Sequence, residues 1–158
     1  MLDLEQMILR LLVAMALGAV IGWEREILDK EAGIRTSLVV SAGAAMFTMA
    51  ALAMPYLVAT SPEHLDEVLA RNSGFMAMVG NIVVGIGFLG AGLIIKAEGR
   101  VHGLTTAAVV WAVAAIGVFA GLGLLGFAAS ATLILTASLL LLRKVKAKVN
   151  GVLDSKKP

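Results

Sequence analysis

Five long apolar runs, most of them separated by short charged stretches, constrain this sequence more than any other feature. A helix that crosses a bilayer needs about 20 mostly apolar residues, and it satisfies its backbone hydrogen bonds internally. We therefore predict an all-α, polytopic transmembrane bundle of about five spans. Four spans is the alternative, because only a turn at Gly121 separates the last two. The predicted spans are residues 7–23, 36–59, 73–95, 104–120 and 122–142.

The composition is typical of a chain embedded in lipid. Hydrophobic residues make up 59% of it and charged residues 15%, whereas soluble domains are about 45–50% apolar even with glycine included. Most of the charged residues lie beside the apolar runs, in residues 24–35, 63–71 and 143–157. We therefore interpret the basic residues as topology signals and not as contacts with nucleic acid. The sequence contains no cysteine, which excludes disulfides and thiolate metal sites.

The distribution of Lys and Arg predicts an orientation. Short loops that retain Lys and Arg lie on the cytoplasmic side, and with the N-terminus outside only Arg10 and Arg71 fall on the other side. We expect residues 1–142 to form the transmembrane bundle and residues 143–158 to form a basic cytoplasmic tail. A capping serine, a proline and several acidic residues predict a short amphipathic helix on the outer surface, over about residues 62–71.

Stripes of small residues in two spans predict close helix packing, which in lipid depends on backbones that can approach one another. The stripes are Ala14, Gly18 and Gly22 in the first span and Gly80, Gly87 and Ala91 in the third. Because the third span carries small residues on two faces, we place it at the centre of the bundle. We expect a homodimer or other homo-oligomer to form through a smooth face of the first or third span. Alternatively, the dense glycines of residues 85–92 mark an unwound segment that lines an ion path.

Charged residues form the strongest cluster at the predicted inner surface. No Asp or Glu lies at the middle of a predicted span, which argues against an ion-coupled transporter. Glu24 ends the first span and Arg35 begins the second, so we expect charges on these two segments to pair. Glu26 and Lys30 have the spacing of an ion pair within a helix. Alternatively, carboxylates of this region supply oxygens to a hard cation such as Mg²⁺. The weak metal candidates are Glu24, Asp29 and Glu31.

Four motifs then follow one another along the chain. They are residues 17–26, 32–36, 85–92 and 103–108, the last followed by Trp111. Together they resemble the MgtC/SapB family of bacterial inner-membrane proteins, and the resemblance covers about residues 12–143. The candidate functional residues that these motifs and one amide supply are Gly22, Glu24, Arg25, Gly33, Arg35, Thr36, Asn81, Gly85, Gly87, Gly90, Gly92, Gly103, Thr105, Thr106 and Trp111.

The resemblance implies a multi-pass protein of the bacterial plasma membrane with a regulatory role. We do not expect an enzyme, because no nucleophile, base and orienting group converge in the sequence. In this family the role concerns growth in low magnesium, virulence, and membrane energetics through contact with a membrane partner such as the F-type ATP synthase. The alternative function is a transporter or channel for divalent cations or small solutes. No cofactor is expected, apart from Mg²⁺ as a ligand or signal.

The chain departs from the family pattern before the third motif. Family members tend to carry an Asp, an Arg and a Gln at positions that correspond to Gly74 or its neighbours, Ala77 and Asn81, and here only Asn81 keeps the amide character. Many members also carry a soluble C-terminal domain that resembles an ACT domain, and we expect this chain to be a short member without it. Transfer of the ATP synthase role to this chain is therefore a hypothesis.

Overall fold

The computed structural model describes residues 3–59, 64, 66, 68, 74–97 and 99–154. These residues form helices α1 (Leu4–Ile27), α2 (Ile34–Val58) and α3 (Gly74–Leu93), strands β1 (Ile95–Ala97) and β2 (Arg100–His102), and helices α4 (Leu104–Gly121) and α5 (Leu125–Asp154). Apart from positions 64, 66 and 68, the predicted outer helix over residues 62–71 lies outside the described residues. Residues 155–158 of the predicted tail also lie outside them.

Four stretches are long and apolar enough to cross a membrane: α1, α2, α4 and Leu125–Val145 of α5. The remaining helix, α3, is also apolar, but its apolar stretch Ala77–Leu93 is shorter. The prediction of an all-α polytopic bundle is thereby confirmed. The helix α1 extends beyond the predicted first span at both ends, and α5 continues through the basic region as far as Asp154. The orientation of the termini stays a prediction.

Close contact between α1 and α2 depends on glycines of α1. A Cβ atom built on Gly18 would lie 2.6 Å from the carbonyl oxygen of Ser37, and one built on Gly22 would lie 2.6 Å from Cα of Ile34. Real Cβ atoms essentially never come so close to such atoms. Ala14, the third residue of the stripe, is fully buried. Small residues of this kind let two backbones approach in a membrane, where apolar side chains alone gain little from contact with one another.

Farther along the helix, the same face of α2 packs on α4 in the same way, and Ser41 takes part in both contacts. A Cβ on Gly117 would overlap the carbonyl oxygen of Ser41, and a Cβ on Gly121 would lie 2.7 Å from the carbonyl oxygen of Ala45. Val113, on the buried side of α4, has no exposed surface. The core of the bundle is therefore α1, α2 and α4 packed on one another, with α5 packed on α1 and α4.

The helix α3 lies at the edge of this core, against α4 and α2. Gly90 is its closest-packed glycine, since a Cβ there would lie 3.7 Å from Cβ of Ala107. Ala91 is exposed. The glycines of α3 at which a Cβ would meet no atom within 4 Å are Gly80, Gly85, Gly87 and Gly92. The predicted central position of the third span is therefore wrong. The places against α2 that demand small residues are filled by the glycines of α1 and α4.

The glycine-rich residues 85–92 lie inside one continuous helix, because α3 runs unbroken from Gly74 to Leu93. The alternative of an unwound segment that lines an ion path is therefore wrong. Glycine permits many backbone conformations but requires none of them. In an apolar environment each backbone group needs a hydrogen-bond partner, and the helix supplies all of them within one segment.

At the end of the bundle where α4 stops, Arg10 of α1 binds the α4–α5 turn. Its Nη1 donates a hydrogen bond of 2.8 Å to the carbonyl oxygen of Gly121, one of the carbonyls that the last turn of a helix leaves without a partner. Gly123 has φ 85°, and a Cβ there would press on the guanidinium of Arg10. The tight turn that separates the last two helices is thus held by a cation at a helix C-terminus, a favourable electrostatic arrangement.

Candidate functional site

Most of the polar contacts that join different helices lie at one end of the bundle. This charged end, as we name it, consists of the last turn of α1, the α1–α2 loop (residues 28–33), the first turns of α2 and α4, and the β1–β2 hairpin. It gathers most of the motif residues that sequence analysis selected. Those at the charged end are Glu24, Arg25, Gly33, Arg35, Thr36, Gly103, Thr105 and Thr106.

The hairpin, which sequence analysis did not predict, carries the chain from α3 to α4. Its strands pair antiparallel, with Lys96 opposite Val101. Gly103 follows β2 and precedes α4 with φ 80°, and a Cβ at this position would overlap the carbonyl oxygen of Leu93. Glycine is required here for two reasons: L side chains rarely adopt a positive φ, and a side chain would overlap the backbone at the end of α3.

Glu24 and Arg25 form the buried ion pair of the charged end. Arg25 Nη1 lies 3.3 Å from Glu24 Oε2, and the two residues are only 4% and 7% exposed, respectively. The expectation that charges on the two segments would pair through Arg35 is wrong, since Arg35 is exposed. The α2 residues closest to the glycines of α1 are Ile34, Ser37 and Ser41. Arg35 lies about 100° around the helix from Ile34 and points elsewhere.

Glu26 caps the N-terminus of α2 from the preceding helix. The backbone N–H of Ile34, the first residue of α2, donates a hydrogen bond of 2.9 Å to Glu26 Oε2. A Cβ on Gly33 would overlap this carboxylate. The predicted Glu26–Lys30 pair within a helix is wrong because α1 ends at Ile27. The carboxylate instead satisfies one of the amides that a helix start leaves without a partner.

Glu31 connects the α1–α2 loop to α4. The hydroxyl of Thr106, in the first turn of α4, donates a hydrogen bond of 2.8 Å to Glu31 Oε2. A hydrogen bond from its own backbone and the bond from Thr106 hold the pKa of Glu31 below its usual range, and the nearby charges of Lys30 and Arg25 act in the same direction. Thr106 is buried, so this contact also satisfies a hydroxyl that water does not reach.

The three candidate Mg²⁺ ligands do not come together. Among the described residues, no group of three or more His, Cys, Asp or Glu side chains is placed to hold a metal ion. Glu24 is engaged by Arg25, and Glu31 is engaged by Thr106. Asp29 is exposed and adopts φ 51° at the end of α1. The hypothesis of a magnesium site built from these residues is therefore wrong for the part of the chain that the structure describes.

The remaining motif residues lie along α3 and its neighbours. Asn81 and Gly85 face a cavity of about 360 Å³ between α2 and α3, which we call the α2–α3 groove. Its lining is Val39, Val40, Gly43, Ala44, Phe47, Met78, Asn81, Ile82, Gly85 and Ile86. Trp111 lines a smaller cavity between α3 and α4. Gly87 and Gly92 are exposed, and a Cβ built on either would meet no atom within 4 Å.

Sequence reasoning missed several residues that position these sites. The pair Gly117 and Gly121 of α4 has the spacing of small residues in a helix contact, and this signal was present in the sequence. Arg10, a lone cation within an apolar run, also gave a signal, because such residues are costly unless they have a partner. The role of Glu26 in capping α2 had no comparable signal, since its partner is a backbone amide.

The comparison with protein families supplies the deciding observation. The family model described as the MgtC family matches residues 11–148 of this chain. The chain belongs to the MgtC family. The resemblance that the motifs predict is thereby confirmed, and four helices of membrane-spanning length and apolarity agree with an MgtC-type membrane protein.

Two MgtC relatives illustrate the similarity. The protein named Protein MgtC from Salmonella typhimurium (strain LT2) is 41% identical over 143 residues, which cover 90% of this chain and 55% of the relative. The protein of the same name from Brucella abortus (strain 2308) is 39% identical over 130 residues, which cover 82% of this chain and 48% of the relative. The chain thus spans about half the length of the curated relatives it matches. No solved structure matches the chain.

Proposed function

We propose that this MgtC family protein is a non-catalytic regulator of the bacterial plasma membrane that acts by helix-to-helix contact within the bilayer. Its proposed setting is magnesium-limited growth, membrane energetics or virulence, as the family resemblance implies. The observation that carries the proposal is the outer surface of α3, which combines open glycines with an exposed amide.

The outer face of α3, as we name it, is formed by Asn81, Gly85, Phe88 and Gly92. Its first two residues also line the α2–α3 groove and are exposed. At 100° per residue these four positions fall within about 60° of one another around the helix. Phe88 is 86% exposed, and neither Gly85 nor Gly92 has an atom within 4 Å of a built Cβ. Small residues permit close approach of a second helix, and an amide facing apolar surroundings gains a hydrogen-bond partner when two helices associate.

Two kinds of partner fit this face. A second copy of the chain would place the two glycine surfaces together around a two-fold axis, which is the commonest symmetry of soluble homo-oligomers and the simplest closed arrangement. A larger membrane complex is the other partner, and the family resemblance implies the F-type ATP synthase. The face is apolar and helical, so either partner is expected to present a transmembrane helix.

The transport alternative receives no support from the described residues. It required residues 85–92 to unwind and expose carbonyl groups, and α3 is continuous there. At the charged end, Glu24, Glu26 and Glu31 bind an arginine, a backbone amide and a hydroxyl, and the described acidic and histidine side chains form no group of three that could hold a metal ion. We therefore keep contact-mediated regulation as the proposed function.

The proposal is tested with leucine substitutions on α3. Gly85→Leu is expected to reduce the oligomer to a monomer in lipid nanodiscs, measured by native mass spectrometry, because its side chain would hold a second helix away. Gly87→Leu, which lies about 100–160° around the helix from the residues of the outer face, tests whether the contact extends beyond that face. The matched control is Gly126→Leu on α5, where a Cβ also meets no atom within 4 Å.

A second readout addresses the larger complex. ATP hydrolysis and proton pumping are measured in inverted membrane vesicles from cells that express the wild type, Gly85→Leu or Gly126→Leu. The proposal expects the wild type and the control to lower both activities, and Gly85→Leu to restore them. If neither the oligomer size nor these activities respond to any α3 substitution, the proposed contact is wrong.

A further inference from the structure

A third cavity, separate from the α2–α3 groove and from the cavity lined by Trp111, lies between α1 and α5 at the charged end. Its volume is about 220 Å³, and we call it the α1–α5 groove. Four of its lining residues are apolar: Val20, Trp23, Ile27 and Leu140. All four are exposed in the structure. Neither the proposed contact of α3 nor the polar contacts between the loop and α4 uses this groove.

The polar lining of the α1–α5 groove is small and mixed in charge. Its members are Glu24, Thr136 and Arg143. Glu24 gives one oxygen, Oε2, to Arg25, and a carboxylate has about four acceptor positions. The hydroxyl of Thr136 is buried and has no hydrogen-bond partner among the described residues. Arg143 is exposed. Glu24 forms its ion pair with Arg25 and not with Arg143. The groove therefore offers the Glu24 carboxylate to a cationic group, the Arg143 guanidinium to an anionic group, and the hydroxyl of Thr136 between them in polarity.

The groove lies at the depth where a span meets lipid headgroups. Arg143 is close to the end of the apolar stretch Leu125–Val145, and basic residues at such ends reach the interface. Trp23 lies in the last turns of α1 and is 63% exposed, and tryptophan is enriched at the same level of a bilayer. Val20 lies one turn deeper along α1. A molecule in the groove would thus place its polar part near Arg143 and its apolar part along Val20.

We propose that the α1–α5 groove binds a phospholipid whose headgroup carries a primary ammonium, such as phosphoethanolamine. The ammonium donates hydrogen bonds to Glu24, the phosphate binds Arg143, and one acyl chain lies against Val20 and Leu140. An anionic headgroup without an amine would leave the buried carboxylate of Glu24 facing negative charge. A choline headgroup has no N–H to donate to that carboxylate.

The natural fluorescence of Trp23 provides the test. Trp23 and Trp111 are the two tryptophans of the chain, and Trp111 lines a different cavity. The variant Trp111→Phe therefore reports on the groove alone. It is placed in phosphatidylcholine vesicles that contain brominated lipids, whose bromine quenches tryptophan on contact. Brominated phosphatidylethanolamine is expected to associate with Trp23 about fivefold more strongly than brominated phosphatidylcholine, the factor expected from about one favourable charge contact at a membrane surface.

Substitutions then assign the contacts. Glu24→Gln is expected to bring phosphatidylethanolamine to the level of phosphatidylcholine, and Glu5→Gln, at the other end of α1, serves as its control. Arg143→Gln is expected to weaken quenching by brominated phosphatidylethanolamine, and Lys144→Gln, which does not line the groove, serves as its control. If Glu24→Gln fails to fold, the comparison of the two lipids in the Trp111→Phe protein still decides the question.

Three results would overturn the assignment. Equal quenching by brominated phosphatidylethanolamine and phosphatidylcholine would remove the role of the ammonium. Stronger quenching by brominated phosphatidylglycerol than by phosphatidylethanolamine would make the groove an anion site. Full reversal of phosphatidylethanolamine quenching by soluble phosphoethanolamine at millimolar concentration would show that the groove takes the free headgroup, and not the lipid.

Discussion

Replacement of Gly18 by alanine is expected to destabilise the bundle by forcing α1 and α2 apart. The added methyl would lie 2.6 Å from the carbonyl oxygen of Ser37 and 2.8 Å from Cβ of Ser41. The first of these is a backbone atom, so the conflict cannot be relieved by a side-chain rotation. Ordinary contacts begin at 3.4 Å, so the helices must separate by several tenths of an ångström. Overpacking of this kind costs about 1–3 kcal/mol.

The measurement requires a control because alanine is a better helix former than glycine by about 1 kcal/mol. Gly43 lies in the middle of α2, and a Cβ there meets no atom within 4 Å. The difference between Gly18→Ala and Gly43→Ala therefore isolates the steric effect. Reversible unfolding in mixed detergent micelles, followed by tryptophan fluorescence, gives the free energy of unfolding of each variant. A difference below about 0.5 kcal/mol, the size expected of a substitution without a specific effect, would refute the close α1–α2 contact.

Three further predictions concern the polar contacts. Glu26→Ala removes the carboxylate at the start of α2 and is expected to lower the free energy of unfolding by about 1 kcal/mol, the usual value for a lost helix cap, in the same unfolding assay. Because the pKa of Glu31 is lowered on folding, the unfolded chain binds its proton first as the pH falls. Stability should therefore decline below about pH 4.5, the ordinary pKa of this carboxyl, and Thr106→Val should weaken that decline, measured as thermal unfolding against pH. Arg10→Met removes a charged hydrogen bond to Gly121 and is expected to cost about 1.5–3 kcal/mol, again measured by unfolding.

Matched variants keep these predictions specific. Glu5→Ala controls for Glu26→Ala, since Glu5 lies in the first turn of α1 and makes no recorded contact with α2. Thr106→Ser retains the hydroxyl and is expected to keep the acid decline of the wild type. If Thr106→Val and Thr106→Ser decline alike, the hydrogen bond to Glu31 does not set the pKa. If Arg10→Met unfolds like the wild type, Arg10 does not hold the turn.

The class of the fold could be predicted from the sequence because apolar length alone decides it. Runs of about 20 apolar residues have few alternatives to transmembrane helices, and the structure contains helices at all five runs. The stripe through Gly18 and Gly22 lies at the α1–α2 contact for a similarly local reason. Its period matches the helix, and a neighbouring span connected by a short loop is the nearest available partner.

The position of α3 could not be read from its glycines. A face of small residues shows that a helix can be packed closely, but it does not identify the helix that packs there. Gly117 and Gly121 of α4 compete for the same place beside α2, and their Cβ positions are filled by the α2 backbone. Four glycines of α3 are left without a neighbour at the Cβ position, which is why we propose a contact outside this chain for two of them, Gly85 and Gly92.

The partners of the charged residues were equally difficult to predict. Sequence spacing suggested side-chain pairs, whereas Glu26 binds a backbone amide and Glu31 binds a hydroxyl on a helix 75 residues away. Charge patterns identify which residues need partners, because isolated charges are costly near apolar surroundings. They do not identify the partners, since backbone groups and distant hydroxyls leave no pattern in the nearby sequence.

The most direct test of the proposed contact is site-specific cross-linking in native membranes. The sequence has no cysteine, so a single one can be placed at will. Phe88→Cys lies on the outer face of α3, and Leu133→Cys, also well exposed at 68%, lies on α5. With a thiol-linked photoactivatable reagent, we predict that Phe88→Cys forms a product with a second copy or another membrane protein, and that Leu133→Cys labels lipid alone. Labelling of lipid alone at both positions would contradict the account.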